Sequence, residues 1–256
     1  MTLNIVVPMA GRGRRFSEAG FALPKPMIPV HGRPMIQVVV RNVRPARPHR
    51  FVFLCLQEHL ERYPMGEALR AMAPEAEVVP VRGVTEGAAC TVLLARDLID
   101  NDDPLMIANS DQWVDIQVDD YLAAMERQRA DGFIMTMWAD DPKWSFVRFD
   151  ADGRAAEVVE KKVVSNEATV GIYNFARGRD FVSAVAAMIA KGLRVNGEFY
   201  VAPAYNELIA RGQTIGVYNV GKEGDGMYGM GIPADLARFE AHPASRRATD
   251  FTDGAP

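Results

Sequence analysis

Four short runs, LNIVVPM (3–9), RFVFLCL (50–56), AEVVPVR (76–82) and PLMIANSD (104–111), carry apolar residues at consecutive positions. Successive side chains of a strand point to opposite faces, so such strands must be covered on both sides. Between them lie PMIQVVVRNV (34–43), EHLERYPMGEALRAM (58–72) and GAACTVLLARDLI (87–99), which read as helices. Strands and helices in alternation build a parallel sheet sandwiched between helices. After Asp111 the rhythm changes. GFIMTMWA (132–139), SFVRFD (145–150), AAEVVEKK (155–162) and ATVGIYNFA (168–176) follow one another closely, which predicts antiparallel or mixed sheet. Helices are expected over 178–191 and 200–211, a strand over 214–220 and a short helix over 233–240. Residues 1–241 form one α/β domain on this reading. The polar, turn-rich stretch HPASRRATDFTDGAP (242–256) is expected to fray as a tail.

Charge and composition exclude several functions. With 29 basic and 33 acidic residues the net charge is −4, which argues against a general nucleic-acid binder. No apolar run reaches the roughly 18–20 residues of a membrane span. The start, MTLNIVVPMAG, lacks the basic and long apolar regions of a secretory signal, so a cytoplasmic protein is expected. Cys55 and Cys90, each inside an apolar run, read as two buried thiols of a reducing compartment. The four histidines are scattered, without zinc-ligand spacing.

In an acidic chain, the basic segment PMAGRGRRFSEAGFALPKPM (8–27) needs a local explanation. A glycine-rich turn leaving a first strand can present successive backbone N–H groups to an anion. Gly11 and Gly13 bracket Arg12, and Arg14 and Arg15 follow. Lys25 sits between Pro24 and Pro26, whose rings restrict the local backbone. The segment is neither a P-loop, lacking Gly-Lys-Ser/Thr, nor G-x-G-x-x-G, lacking the third glycine. A solvated basic loop is the competing reading.

The stretch AGRGRRF…LPKPMIPVHGRPMIQ resembles the signature loop of the nucleoside-diphospho-sugar nucleotidylyltransferases. That family has a three-layer, Rossmann-like (GT-A-like) α/β fold with a mixed, mainly parallel central sheet. The resemblance implies that Ala10, Gly11, Gly13 and Arg14 hold the triphosphate of an NTP and that Arg15 and Lys25 are catalytic. The single Ala-Gly and Phe16 lean toward the cytidylyltransferase form of the motif.

The likeness extends along nearly the whole chain. VTEGAACTVLLA (84–95) is similar to the family segment against base and ribose, making Gly87 and Ala88 nucleotide-binding candidates; an ordinary helix start capped by Thr85 fits as well. Asn109, Ser110 and Asp111 end a buried strand, at the sheet edge where open α/β sheets bind ligands. Ser110 is a further nucleotide-binding candidate. Asp111 matches the family's principal magnesium-binding aspartate, and one carboxylate suffices for Mg²⁺ when phosphates supply the other oxygens. EKKVVSNEATVGIYNF (160–175) resembles the run lining the acceptor pocket, through Glu160, Lys161, Asn166, Gly171 and Tyr173. A solvent-facing charge cluster is the alternative for Glu160, Lys161 and Lys162.

Two positions depart from the family pattern. Tyr200 stands where a sugar-binding glutamate is usual, and is the remaining acceptor-site candidate. Gly229 stands where the second metal-binding aspartate is usual, and Asp225 is the nearest carboxylate that could replace it. The resemblance implies an Mg²⁺-dependent nucleotidyl transfer from an NTP to a phosphorylated small-molecule acceptor with pyrophosphate release. The expected acceptor is a sugar phosphate or related metabolite used in surface polysaccharide synthesis. The two departures also admit a cytidylyltransferase acting on a phospho-amino acid or phosphocholine-type group. From other classes come a catalytically silent nucleotide-binding regulatory domain and a glycosyltransferase, for which NSDQWVD lacks the D-x-D motif. A homo-oligomer is left open.

Overall fold

In strand β1 (Leu3–Met9), Ile5, Val7 and Met9 enter one apolar cluster and Val6 enters another, all of them buried. The two clusters lie on opposite faces of one sheet, which is why the run needs apolar residues at consecutive positions. In this computed structural model residues 1–251 are described; the expectation of a frayed tail over 252–256 lies outside them.

The first half continues through α1 (Arg14–Glu18), the hairpin strands β2 (Pro29–Val30) and β3 (Arg33–Pro34), and α2 (Met35–Val43). Then come β4 (His49–Leu56), α3 (Gln57–Arg62), α4 (Met65–Met72), β5 (Glu77–Val81), α5 (Ala88–Leu93), α6 (Arg96–Ile99) and β6 (Leu105–Ala108). Helix α2 is rich in β-branched valine, a poor helix former. It forms because Met35, Val38, Val39 and Ile36, Val40, Val43 recur at helical spacing on a buried face. Each side chain so buried contributes roughly 1.5–3 kcal/mol. It ends at Arg44, before Pro45, whose ring disfavours helix in the preceding residue. The helical stretch expected over 58–72 is divided into α3 and α4 at Pro64, and that over 87–99 into α5 and α6 near Ala95.

The second half comprises β7 (Gln112–Val114), α7 (Val118–Gln128), β8 (Gly132–Trp138), β9 (Ser145–Phe149), β10 (Ala155–Glu160), β11 (Glu167–Phe175) and α8 (Gly178–Ala190). It closes with α9 (Tyr205–Ala210), β12 (Ile215–Glu223), β13 (Gly226–Gly229), α10 (Pro233–Ala241) and α11 (Pro243–Thr249). Strands order as β5-β4-β1-β6-β11-β8-β12-β13-β7, with β9 and β10 attached beside β11. β5, β4, β1 and β6 are mutually parallel; β11 inserts antiparallel to both β6 and β8, and β12 resumes parallel to β8. The expected mixed, mainly parallel sheet is therefore present, with β11 as the principal reversal.

The polar stretch after residue 241 is not frayed over 243–249. It folds as α11, with Ala244 and Ser245 fully buried. The Ser245 hydroxyl bonds the His242 carbonyl at 2.7 Å and lies 2.8 Å from His31 Nε2. Arg247 pairs with Asp115 across the sheet edge. Small residues, rather than large apolar ones, seat this helix. Among the described residues no helix is long and apolar enough to cross a membrane. Cys55 is buried and free, and burial pushes its thiol up to about 12; Cys90 is free and only half-buried, against the expectation of two buried thiols.

Candidate active site

The C-terminal ends of β1 and β6 place the basic loop beside Asp111. After Met9 the chain turns through Ala10, which is buried, and Gly11, which is exposed with open space where a Cβ would stand. Gly13 has a left-handed φ of 61°, and its Cβ would fall 3.1 Å from that of Lys25. A glycine there permits the loop to close over the Lys25 segment. Its carbonyl accepts from the N–H groups of Phe16 and Ser17, opening the short helix α1. The Phe16 ring anchors that helix in the core, while Arg14 and Arg15 remain exposed. Lys25 starts a 3-10 turn after Pro24, and its Nζ donates to Asp111 Oδ2 at 2.7 Å. The structure thus joins Gly13 and Lys25 to Asp111, which lies 86 residues beyond Lys25 in the sequence.

Around Asp111 the space is kept by glycines. The Asp111 carbonyl accepts from Met230 N at 2.7 Å, and a Cβ on Gly231 would lie 2.9 Å from Asp111 Oδ2. Gly229 pairs with Gln112 in the β13–β7 ladder. Asp225 is four residues earlier, next to Gly226, whose carbonyl accepts from Asp115 N. At ~3.3 Å per residue that separation is about 13 Å. The structure does not bring Asp225 to Asp111. Among the described residues no group of three or more His, Cys, Asp or Glu is arranged to hold a metal.

A cleft of about 200 Å³ opens beside this edge, and Ala88, Glu160, Gly171, Tyr173 and Tyr200 all line it. Gly171 has a φ of 85° at an irregularity in the β11–β8 register. A Cβ there would lie 2.2 Å from Asn109 Nδ2 and 2.3 Å from Gln112 Oε1. Its absence lets those two side chains, which flank Ser110 and Asp111, line the cleft. Glu160 is buried, its Oε2 accepting from the Ser145 hydroxyl. Burial pushes its carboxyl above the usual range, against the opposing effects of that hydrogen bond and of Lys161. Tyr173 is buried with its hydroxyl 2.9 Å from Thr169 Oγ1, and burial raises the phenol's pKa against the opposing effect of that hydrogen bond. Lys161 sits at the rim, bonded to the Tyr200 hydroxyl, an interaction that raises its pKa.

Three candidates occupy other kinds of position. Gly87 (φ 132°) is where a Cβ would fall 2.4 Å from Phe199 O, so glycine is dictated by the close approach of two backbones. Thr85 does not cap α5: its hydroxyl donates to the Gly87 carbonyl. Asn166 is exposed, its carbonyl accepting from Ala139 N at 3.1 Å, outside the cleft lining. Ser110 is buried at the sheet edge. Sequence reasoning missed Gln112, Lys143, Trp144 and Ser145, which also line the cleft. Their stretches carry no spacing signal; only the sheet brings them together.

With this geometry in view, a family model for nucleotidyl transferases matches residues 5–192. The chain is 25% identical over 243 residues to the mannose-1-phosphate guanylyltransferase catalytic subunit beta of Dictyostelium discoideum, covering 90% of this chain and 64% of that protein. The chain spans between about a third and two thirds of the length of the curated relatives it matches. The crystal structure of a nucleoside-diphosphate-sugar pyrophosphorylase from Vibrio cholerae RC9 superposes with a TM-score of 0.76 at 25% identity, covering 92% of this chain and 99% of that one. UDP-glucose pyrophosphorylase from Acinetobacter baumanii shares the fold, with a TM-score of 0.69 at 18% identity over 93% of this chain and 92% of its own.

Proposed function

The chain belongs to the nucleotidyl transferase family, and from that premise we propose that it moves NMP from an NTP onto a phosphorylated small-molecule acceptor, releasing pyrophosphate. The observation that carries this reading is the convergence of Gly13, Lys25 and Asp111 at the sheet edge, next to the cleft lined by Asn109 and Gln112. The acceptor phosphate oxygen attacks the α-phosphorus in line, and the α–β bridging oxygen leaves with pyrophosphate. No protein nucleophile is required, because the attacking oxygen is already anionic. The protein's part is positioning and charge neutralisation.

Lys25 turns from Asp111 to the phosphates, and Arg15 offers a second cation to the leaving pyrophosphate. Gly11 and Gly13 let the loop backbone approach the β- and γ-phosphates closely. Lys161 meets the acceptor at the rim of the cleft. Asp111 fits a Mg²⁺ ion held chiefly by phosphate oxygens: it is a single carboxylate, and the glycine at 231 keeps the space beside its Oδ2 clear. Such an ion supplies positive charge to the transferring phosphates.

Purified protein mixed with each NTP and a panel of phosphorylated acceptors should release pyrophosphate for one pair well above the NTP-alone background. Release with no pair would refute the reading. A place in polysaccharide synthesis is part of the proposal, to be judged from the acceptor that the panel identifies.

A further inference from the structure

The acceptor cleft holds a carboxylate that the free protein leaves short of counter-charge. Glu160 is 9% exposed and takes one hydrogen bond, from the Ser145 hydroxyl. Lys161, next in the chain, directs its Nζ to the Tyr200 hydroxyl instead. The Lys161 charge acts on Glu160 only through space, without a contact, and the like charge of Glu198 works against it. In the same cleft Gln112, 8% exposed, has an Oε1 with no hydrogen-bond partner, and the Trp144 Nε1 is likewise buried and unpartnered. Buried acceptors and donors without partners cost free energy unless a ligand completes them.

An ammonium group carries three N–H donors and a positive charge, which complements one carboxylate and one amide oxygen in the same small cleft. On the nucleotidyl-transfer reading, we propose that the acceptor carries a primary ammonium group, held by Glu160 and Gln112, while Trp144 donates to an acceptor oxygen. A hydroxyl in that position would leave the Glu160 charge uncompensated. A quaternary ammonium has no N–H to give Gln112. It would also meet lysines already placed on the ring faces an aromatic cage would use: Lys143 Nζ is 4.9 Å from the Trp144 centroid and Lys161 Nζ 4.6 Å from that of Tyr200. Amino sugar phosphates and phosphorylated amino acids or amino alcohols both supply this chemistry.

Two matched sets separate these sources: ethanolamine phosphate against 2-hydroxyethyl phosphate and choline phosphate, and glucosamine 1-phosphate against glucose 1-phosphate. Binding to the full chain is measured calorimetrically in the presence of a non-hydrolysable CTP or UTP analogue. In one set the ammonium member should bind at least about tenfold tighter than its counterparts, the scale of one good charge-assisted contact. The set that shows the gap identifies the source. Glu160→Gln should abolish the gap with nucleotide affinity unchanged, and Gln112→Met should narrow it. Equal binding, or none, in both sets would overturn the proposal, as would a gap that survives in both variants. A gap without pyrophosphate release from any NTP would sink the transfer reading and leave the ammonium site standing.

Discussion

Lys25 Nζ lies 2.7 Å from Asp111 Oδ2, each side chain little more than a fifth exposed. In the free protein each serves as the other's counter-ion, and on the proposed reading both turn to triphosphate and metal. Lys25→Met should therefore act on turnover far more than on folding. We expect kcat to fall by roughly 10²–10³-fold, the scale of ~3–4 kcal/mol lost with one preorganised donor at a reacting oxygen. The partly exposed ion pair should contribute only ~0–1 kcal/mol to stability. Single-turnover rates beside NTP binding and thermal melts test this; near-normal turnover would remove Lys25 from the chemistry. Arg15→Ala should show the same split.

Asp111→Asn keeps the size of the side chain and removes its charge. Activity should disappear at low Mg²⁺ and return in part at high Mg²⁺, because phosphate oxygens supply most of the ligands. A Mg²⁺ titration of initial rates decides it, and an unshifted midpoint would make Asp111 structural.

The parallel half of the sheet was legible because consecutive apolar residues have one good explanation, burial on both faces. The basic loop was legible because Gly13 and the prolines flanking Lys25 act on local backbone. Much of the cleft beside it was not. Ser145 lines it because β9 attaches beside β11, and Gln112 because Gly171 adopts a conformation no spacing rule reveals. A glycine inside the apolar run ATVGIYNFA was the available sign of a close approach. Helix α7 was missed although Val118, Tyr121, Leu122 and Met125 recur at helical spacing. Helix α11 was missed because its buried residues are Ala and Ser, which composition counts as turn-like or neutral.

That helix makes its own prediction. Ending the chain after His242 removes the Arg247–Asp115 pair and leaves His31 without Ser245. Since α11 also covers α10 and part of α2, we expect Tm to drop by more than the ~2–4 °C that 1 kcal/mol represents at this size. An unchanged Tm would mean that α11 adds nothing to the fold.

Gly171→Ala should damage fold and acceptor site together. The new Cβ meets Asn109 and Gln112, and overpacking of that kind costs about 1–3 kcal/mol besides the left-handed φ. Gly153→Ala, with a φ of 75° and open space around it, carries the backbone cost alone. Gly171→Ala should melt lower than Gly153→Ala and raise the acceptor KM without changing that of the NTP. Equal melting of the two variants would show that the close approach is relieved cheaply.

Glu160 gives a pH signature. Its carboxyl is held above the usual range because burial disfavours the ionised form. At pH below the ordinary carboxyl range both folded and unfolded states are protonated, and burial of the charge costs nothing. As pH rises, the unfolded chain loses its proton first, so the folded state binds more protons and stability falls with pH. The loss is complete once the folded carboxyl has ionised too. Glu160→Gln has no such titration, and every other carboxylate is common to both proteins. The Tm of Glu160→Gln minus that of the parent should therefore grow more positive as the pH is raised from the acid range to neutrality, in the absence of substrates. An ammonium-bearing acceptor should shrink the neutral-pH difference by stabilising the parent's ionised Glu160. A difference that stays constant with pH would mean that Glu160 is solvated like a surface carboxylate, and would remove the premise on which ammonium recognition rests.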